Sequence, residues 1–120
     1  DILDVTVPLA NIGKLMDAVD EIADEFDTTI PMYGHAGDGN LHPHIMKVDG
    51  EAPSYLDEIR EAIYKKAFEL GGFLTGEHGV GKTRVKNLPL LDEKQIELMR
   101  GIKKVFDPHN ILNPGTIVSV

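Results

Sequence analysis

Three of the chain's five histidines fall within ten residues, in the stretch Tyr33-Gly34-His35-Ala36-Gly37-Asp38-Gly39-Asn40-Leu41-His42-Pro43-His44. Gly37 and Gly39 allow positive φ, and Asp38 and Asn40 tolerate it while bonding nearby backbone. Ile30 and Met32 before this core, and Ile45, Met46 and Val48 after it, make the stretch a hairpin, with strands over about 28–35 and 41–48. If His35 and His42 stand across from each other at the strand ends, they share a face with Cβ atoms ~5 Å apart. Two neutral imidazoles so placed can grip one divalent metal. They can equally be surface or satisfied core histidines, and the metal reading needs a third ligand.

Gly76-Glu77-His78-Gly79-Val80-Gly81-Lys82-Thr83 offers one. A carboxylate in a glycine-rich turn, Glu77, can complete the donor set. Its neighbour His78, pointing elsewhere, would stay free as a base. The same eight residues match the phosphate-loop pattern G-x-x-x-x-G-K-[ST], which needs a strand before it and a helix opening at the Lys. Here the preceding apolar run is very short, and Asn87, Leu88 and Pro89 cut off a following helix within two turns. Lys82, Arg84 and Lys86 form a basic run, commonly a solvated face, that can also serve an anionic small molecule.

The elements that must position these residues follow from periodicity. A strand is expected over about 3–8, ending at Pro8. Asn11 is a plausible N-cap for a helix whose apolar face is Ile12, Leu15, Met16, Val19, Ile22, Ala23 and Phe26. Ser54 looks like a second cap, with Asp57 and Glu58 in the first turn; Leu56, Ile59, Ile63, Ala67 and Leu70 follow, and Gly71-Gly72 stop the helix. A short strand over about 72–76 completes the order β-α-β-β-α-β. The expected fold is therefore α+β, a ferredoxin-like split βαβ with an antiparallel sheet and both helices on one face. In a regular sheet of that kind the last strand runs away from the hairpin turn. Glu77 then reaches His35 and His42 only if their strands stagger or the glycines carry its turn across the open face. Asp92 and Gln95 form a capping-box pattern for a third helix with the apolar set Ile96, Met99, Ile102, Val105 and Phe106, ended by Asp107-Pro108.

The 120 residues suit a single domain, 1–120, with no internal repeat or linker to divide it. A net charge of −8 argues against nucleic acid. With no cysteine, disulfides and thiolate metal sites are excluded, so any metal rests on His, Asp or Glu. No apolar run has the length of a transmembrane segment and no signal peptide is visible, which makes a cytoplasmic home the expectation.

Taken together, Gly-His-Ala-Gly-Asp-Gly-Asn-Leu-His-Pro, Gly-Glu-His-Gly-Val-Gly-Lys and Phe-Asp-Pro-His-Asn-Ile-Leu-Asn-Pro-Gly resemble, in order and across the whole chain, the C-terminal region of FAD-linked 2-hydroxyacid oxidases. These are the glycolate oxidase flavoprotein subunit and flavin-dependent D-lactate dehydrogenases, within the vanillyl-alcohol oxidase superfamily. The resemblance implies the later part of a cap, or substrate, domain whose open sheet face covers a flavin carried on a separate FAD-binding domain absent from this chain. It implies a divalent metal, zinc foremost, on His35, His42 and Glu77, and His78 as the base. Asn40, His44, Lys82 and Arg84 would face a small anionic 2-hydroxyacid, and Asn113 of the third motif the FAD. His44 stands where many relatives have Asn or an aliphatic residue. The expected reaction is oxidation to the 2-oxoacid by hydride transfer to flavin. The isolated chain is expected to fold without flavin and without oxidase activity. The competing expectations are a stand-alone metal- or ligand-binding regulatory module and the phosphate-loop enzyme.

Overall fold

A computed structural model describes residues 1–118. The chain divides into a first compact unit, Asp1–His78, and a second that starts at Gly79. The fold is α+β with a small antiparallel sheet.

In the first unit, β1 (Val5–Thr6), β2 (Met32–His35) and β3 (Asn40–Pro43) form a sheet in the order β1-β3-β2. Val5 pairs with Leu41 and Thr6 with Asn40, while Tyr33 pairs with His42, Gly34 with Leu41 and His35 with Asn40. Because side chains alternate along a strand, Val5 and Leu41 share one face, whereas Thr6, Asn40, His35, Tyr33 and His42 share the other. The first face is apolar: Val5 and Leu41 are buried with Leu3, Val7, Ile30 and Ile45. α1 (Ile12–Glu25) buries Leu15, Ala18, Val19, Ile22 and Ala23, and α2 (Leu56–Glu69) buries Ile59, Ile63, Tyr64 and Ala67. The two helices pack on each other and α2 packs on β1, closing the core on that side of the sheet.

The hairpin turn is a single 3-10 turn, Ala36–Asp38, followed by Gly39 in the left-handed region at φ +73°. Of the two glycines there, only Gly39 uses that freedom. A Cβ on it would also lie 2.1 Å from the Val7 carbonyl oxygen, so a side chain is excluded twice over. Asn11 does precede α1, but its side chain does not cap the helix. Its amide donates instead to the Leu70 carbonyl at 2.9 Å, tying the start of α1 to the end of α2. Nor does Ser54 cap α2, whose N-cap is Tyr55 without a side-chain bond, although Asp57 and Glu58 occupy the first turn. α2 stops where expected, at Gly71 with φ +78°.

The expected fourth strand over 72–76 shrinks to one antiparallel bridge, Thr6 to Phe73, with N–H···O bonds of 3.1 and 2.7 Å. The cause is local: from Thr75 onward the chain turns to hydrogen-bond a side chain rather than a neighbouring strand. Among the described residues the sheet thus has three strands and not the four of a complete split βαβ.

In the second unit, a 3-10 helix spans Val85–Leu90, and α3 (Glu93–Phe106) opens on Asp92, whose carboxylate accepts the Lys94 N–H at 2.8 Å. The residues after Gly81 form turns and not the helix that a phosphate loop opens at its lysine. The apolar set of α3 lies largely at the surface. None of its residues is buried, and Leu98, Ile102, Val105 and Phe106, on one helical face, stand between 59% and 80% exposed.

Asp107 closes this segment. Its carboxylate accepts Lys103 Nζ and the N–H groups of Ile111 (3.0 Å) and Leu112 (2.9 Å). The Lys103 bond chiefly, with the two amides, holds its pKa at about 2 against an ordinary 3.8. A depressed carboxylate stabilises the folded turn above the ordinary value and loses that contribution as pH falls through the depressed one. Hydrogen-exchange protection of Ile111 and Leu112 is therefore expected to vanish between about pH 4 and 2, and Asp107→Asn should abolish it at neutral pH. Protection that survives at pH 2, or in the variant, would show that the turn does not depend on this carboxylate.

Candidate metal centre

The polar face of the sheet carries the chemistry. Asp4 continues the β1 register opposite His42, which lies beside Tyr33; Thr6, Asn40 and His35 form the next row. An open sheet face would leave these side chains in water, yet Asp4, Asn40 and His42 are buried. What covers them is the 75–78 turn. Asp4 Oδ2 accepts Thr75 Oγ1 (2.8 Å) and three successive backbone N–H groups, of Gly76 (2.8 Å), Glu77 (2.9 Å) and His78 (2.7 Å). Asp4 Oδ1 accepts Asn40 Nδ2 at 2.7 Å, and the same amide donates to the Val5 carbonyl at 2.9 Å. Burial pushes the Asp4 carboxyl up, but the bonds from Asn40, the His78 N–H, Thr75 and the Gly76 N–H outweigh it and hold the group well below the usual carboxylate range. Asp4 is a buried anion solvated entirely by the protein.

Gly76 is required by this closure. A Cβ there would lie 2.1 Å from Asn40 Nδ2 and 2.7 Å from Thr6 Oγ1. Three of the backbone amides in the eight-residue match, those of Gly76, Glu77 and His78, are spent on Asp4 and are not free for a phosphate.

The turn carries Glu77 across the open face. Its Oε1 lies 3.1 Å from His35 Nε2 and 3.1 Å from His42 Nε2. His42 is buried, while His35 and Glu77 are about half exposed, so the cluster opens to solvent on one side. Ligand atoms joined to one zinc by bonds of about 2 Å at tetrahedral angles sit roughly 3.3 Å apart, close to these separations. A second grouping, Asp4, His42 and His78, also has its ligand atoms within 4.8 Å of one another. Asp4 Oδ2 is filled by four hydrogen bonds, however, and Oδ1, which accepts Asn40 Nδ2, faces His42 Nδ1, so Asp4 stands behind the His42 ring. The donors that fit a divalent ion are His35, His42 and Glu77.

His78 turns its ring toward the same Glu77 oxygen, but at a longer distance than His35 and His42. Its ring lies parallel to that of His42, centroids 4.8 Å apart and planes within 1°, with Nε2 3.6 Å from Glu77 Oε1. Among the described residues His42 Nδ1 has no hydrogen-bond partner, and Asp4 Oδ1 stands 3.5 Å from it.

The remaining nominated residues lie as follows. Asn40 is buried with its amide turned to Asp4 and Val5. His44 is half-buried beyond the end of β3, its N–H bonded to Pro31. Lys82, Arg84 and Asn113 belong to the second unit: Lys82 and Asn113 are exposed, and Arg84 Nη1 donates to the Gly79 carbonyl at 3.1 Å. Asp4 went unnominated. The available signal was alternation alone, which puts an acidic residue between Leu3 and Val5 on the face that carries His42.

The sequence matches the family profile of FAD linked oxidases, C-terminal domain, over residues 1–117. It is 44% identical over 118 residues to a protein of Archaeoglobus fulgidus named D-lactate dehydrogenase, covering 98% of this chain and 26% of that protein. It is 43% identical over 116 residues to the glycolate oxidase subunit GlcD of Bacillus subtilis, covering 93% and 24%. A mitochondrial protein of Arabidopsis thaliana, named D-lactate dehydrogenase [cytochrome], is 36% identical over 124 aligned positions, covering 98% and 21%. The chain therefore spans about a quarter of the length of these relatives.

Proposed function

The chain belongs to the C-terminal domain family of FAD-linked oxidases, and from that premise we propose that it is the substrate-facing cap of a flavoenzyme oxidising a 2-hydroxyacid of the glycolate or D-lactate type. The observation that carries this reading is the convergence of Glu77 on His35 and His42, with His78 beside them, in a chain whose relatives bear those names. When bound, a divalent ion would supply Lewis-acid polarisation and FAD the hydride acceptor.

The chain's own residues do the rest. His35, His42 and Glu77 hold the ion, zinc by donor type. His78, stacked on the buried His42 ring, offers Nε2 to take the substrate's hydroxyl proton. Lys82 and Arg84 bind the carboxylate, Asn40 and His44 border the substrate, and Asn113 contacts FAD. The bare face of α3, with Leu98, Ile102, Val105 and Phe106, supports docking of the FAD-binding domain of the same protein, since apolar surface of that kind is normally covered. The order Phe73 bridge, β1, β3, β2 supports reading the sheet as a reduced ferredoxin-like split βαβ. Among the described residues no helix is long and apolar enough to cross a membrane; a cytoplasmic location is part of the same proposal.

The test is direct. Purified alone, the chain is expected to be colourless, to oxidise no 2-hydroxyacid, and to take up one zinc per molecule by titration calorimetry. The protein that includes the FAD-binding domain should turn over glycolate or D-lactate. A yellow isolated chain with a flavin spectrum, or a full-length protein inert to every 2-hydroxyacid, would overturn the reading. The alternative regulatory module predicts zinc uptake without flavin reduction in the full-length protein.

A further inference from the structure

Asp4 bears on two parts of the centre at once. One oxygen faces His42 Nδ1 and the other gathers the amides of Gly76, Glu77 and His78. His42 Nδ1 is buried, has no hydrogen-bond partner among the described residues and lies 3.5 Å from Asp4 Oδ1, so that oxygen is placed to receive its proton. With that proton on Nδ1, Nε2 turns its lone pair to the side where Glu77 Oε1 and His35 Nε2 meet. A carboxylate behind a ligating imidazole fixes its tautomer and orientation in this way, and such outer partners typically change metal affinity 10–100-fold.

We propose that Asp4 is the positioning residue of the centre: through His42 it decides which ring nitrogen faces the open side, and through the 76–78 amides it sets where Glu77 and His78 stand. The inference deepens the proposed metal site and rests on it for the affinity readout, though not for the readout on the His42 ring. Neutral Asn is the close isostere, but its NH₂ must meet either His42 Nδ1 or a row of N–H donors. In the first case it donates to Nδ1, and His42 carries its proton on Nε2, where a metal would bind. In the second the turn is pushed off.

The experiment compares wild type with Asp4→Asn, Thr75→Val and Asn11→Ala. Zinc affinity is measured by calorimetry, and the His42 ring nitrogens of metal-free protein by ¹⁵N NMR. Wild type should carry the neutral-ring proton on Nδ1. Asp4→Asn should move it to Nε2 and weaken zinc at least ~10-fold. Thr75→Val, which leaves the Asp4 charge but removes one donor from Oδ2, should weaken zinc by a smaller factor, and Thr75→Ser should restore it. Asn11→Ala severs the α1–α2 tie, which does not touch the cluster. It should lower the melting temperature and leave zinc affinity unchanged.

If Asp4→Asn does not fold, the Thr75 pair decides: loss in Val and recovery in Ser supports the inference, and no change in Val overturns it. An unchanged tautomer and affinity in folded Asp4→Asn overturns it. So does a loss of affinity in Asn11→Ala equal to that in Asp4→Asn, which would reduce Asp4 to general stability. A wild type that binds no zinc sinks the metal site itself. The His42 tautomer then judges Asp4 alone, for it if the proton moves in Asp4→Asn and against it if not.

Discussion

In the full-length protein, His78→Asn is expected to lower the rate constant for flavin reduction by roughly 100-fold or more, the usual scale for a general base, with zinc content held at the wild-type level. The separation follows from geometry. His78 Nε2 lies 3.6 Å from Glu77 Oε1, beyond hydrogen-bond range, and the ring stacks on His42 instead of entering the donor set. Its backbone N–H, which helps hold the turn, survives the substitution. Asn keeps a polar side chain of similar reach but cannot take a proton at neutral pH. Stopped-flow reduction by the 2-hydroxyacid, with zinc measured on the same sample, decides the matter. Normal reduction would leave His78 an ordinary loop residue; loss of zinc equal to that of a His35 variant would make it a ligand.

His35→Ala should behave in the opposite way, losing metal and activity together. As one of the three proposed donors, His35 should on removal weaken zinc by more than the ~10–100-fold typical of losing an outer partner. It sits at the end of edge strand β2 with its side chain 57% exposed. The melting temperature of the metal-free protein should therefore change little, as for most exposed substitutions. Calorimetric zinc titration beside thermal unfolding of metal-free protein separates the two effects. A variant that keeps wild-type zinc affinity would remove His35 from the donor set.

Much of this arrangement was legible beforehand, because it depends on local signals. The 3.6-residue spacing from Ile12 to Phe26 specified α1, Asp92 announced α3, and Gly71 ended α2. His35, His42 and Glu77 were nominated by residue type, and the structure brings them together. What was hidden is non-local. Nothing in the order of residues says that Asp4 will draw Gly76, Glu77 and His78 onto itself, so the 72–76 run looked like a strand when its amides serve a carboxylate. The dilemma over how Glu77 could reach the hairpin is resolved by the same bonds. Asn11 looked like a cap because its type suits one, but the Leu70 carbonyl competes for its amide. The stripe from Ile96 to Phe106 shows that one side of α3 is apolar and is silent on what covers it.

The clamp on Asp4 also dictates when the centre can come into being. β1 and the hairpin can pair once Pro43 has been synthesised, but the donors to Asp4 Oδ2 lie 71 to 74 residues along the chain from it, beyond α2. Contacts of such long range carry loop-closure entropy that earlier structure must first offset, and they form late. A nascent chain released before Glu77 would hold a sheet whose polar face lies open, with an anion and two imidazoles still in water. Closure of this polar face is thus the last step of folding of this unit, and the same bonds should be among the first to open when it begins to unfold.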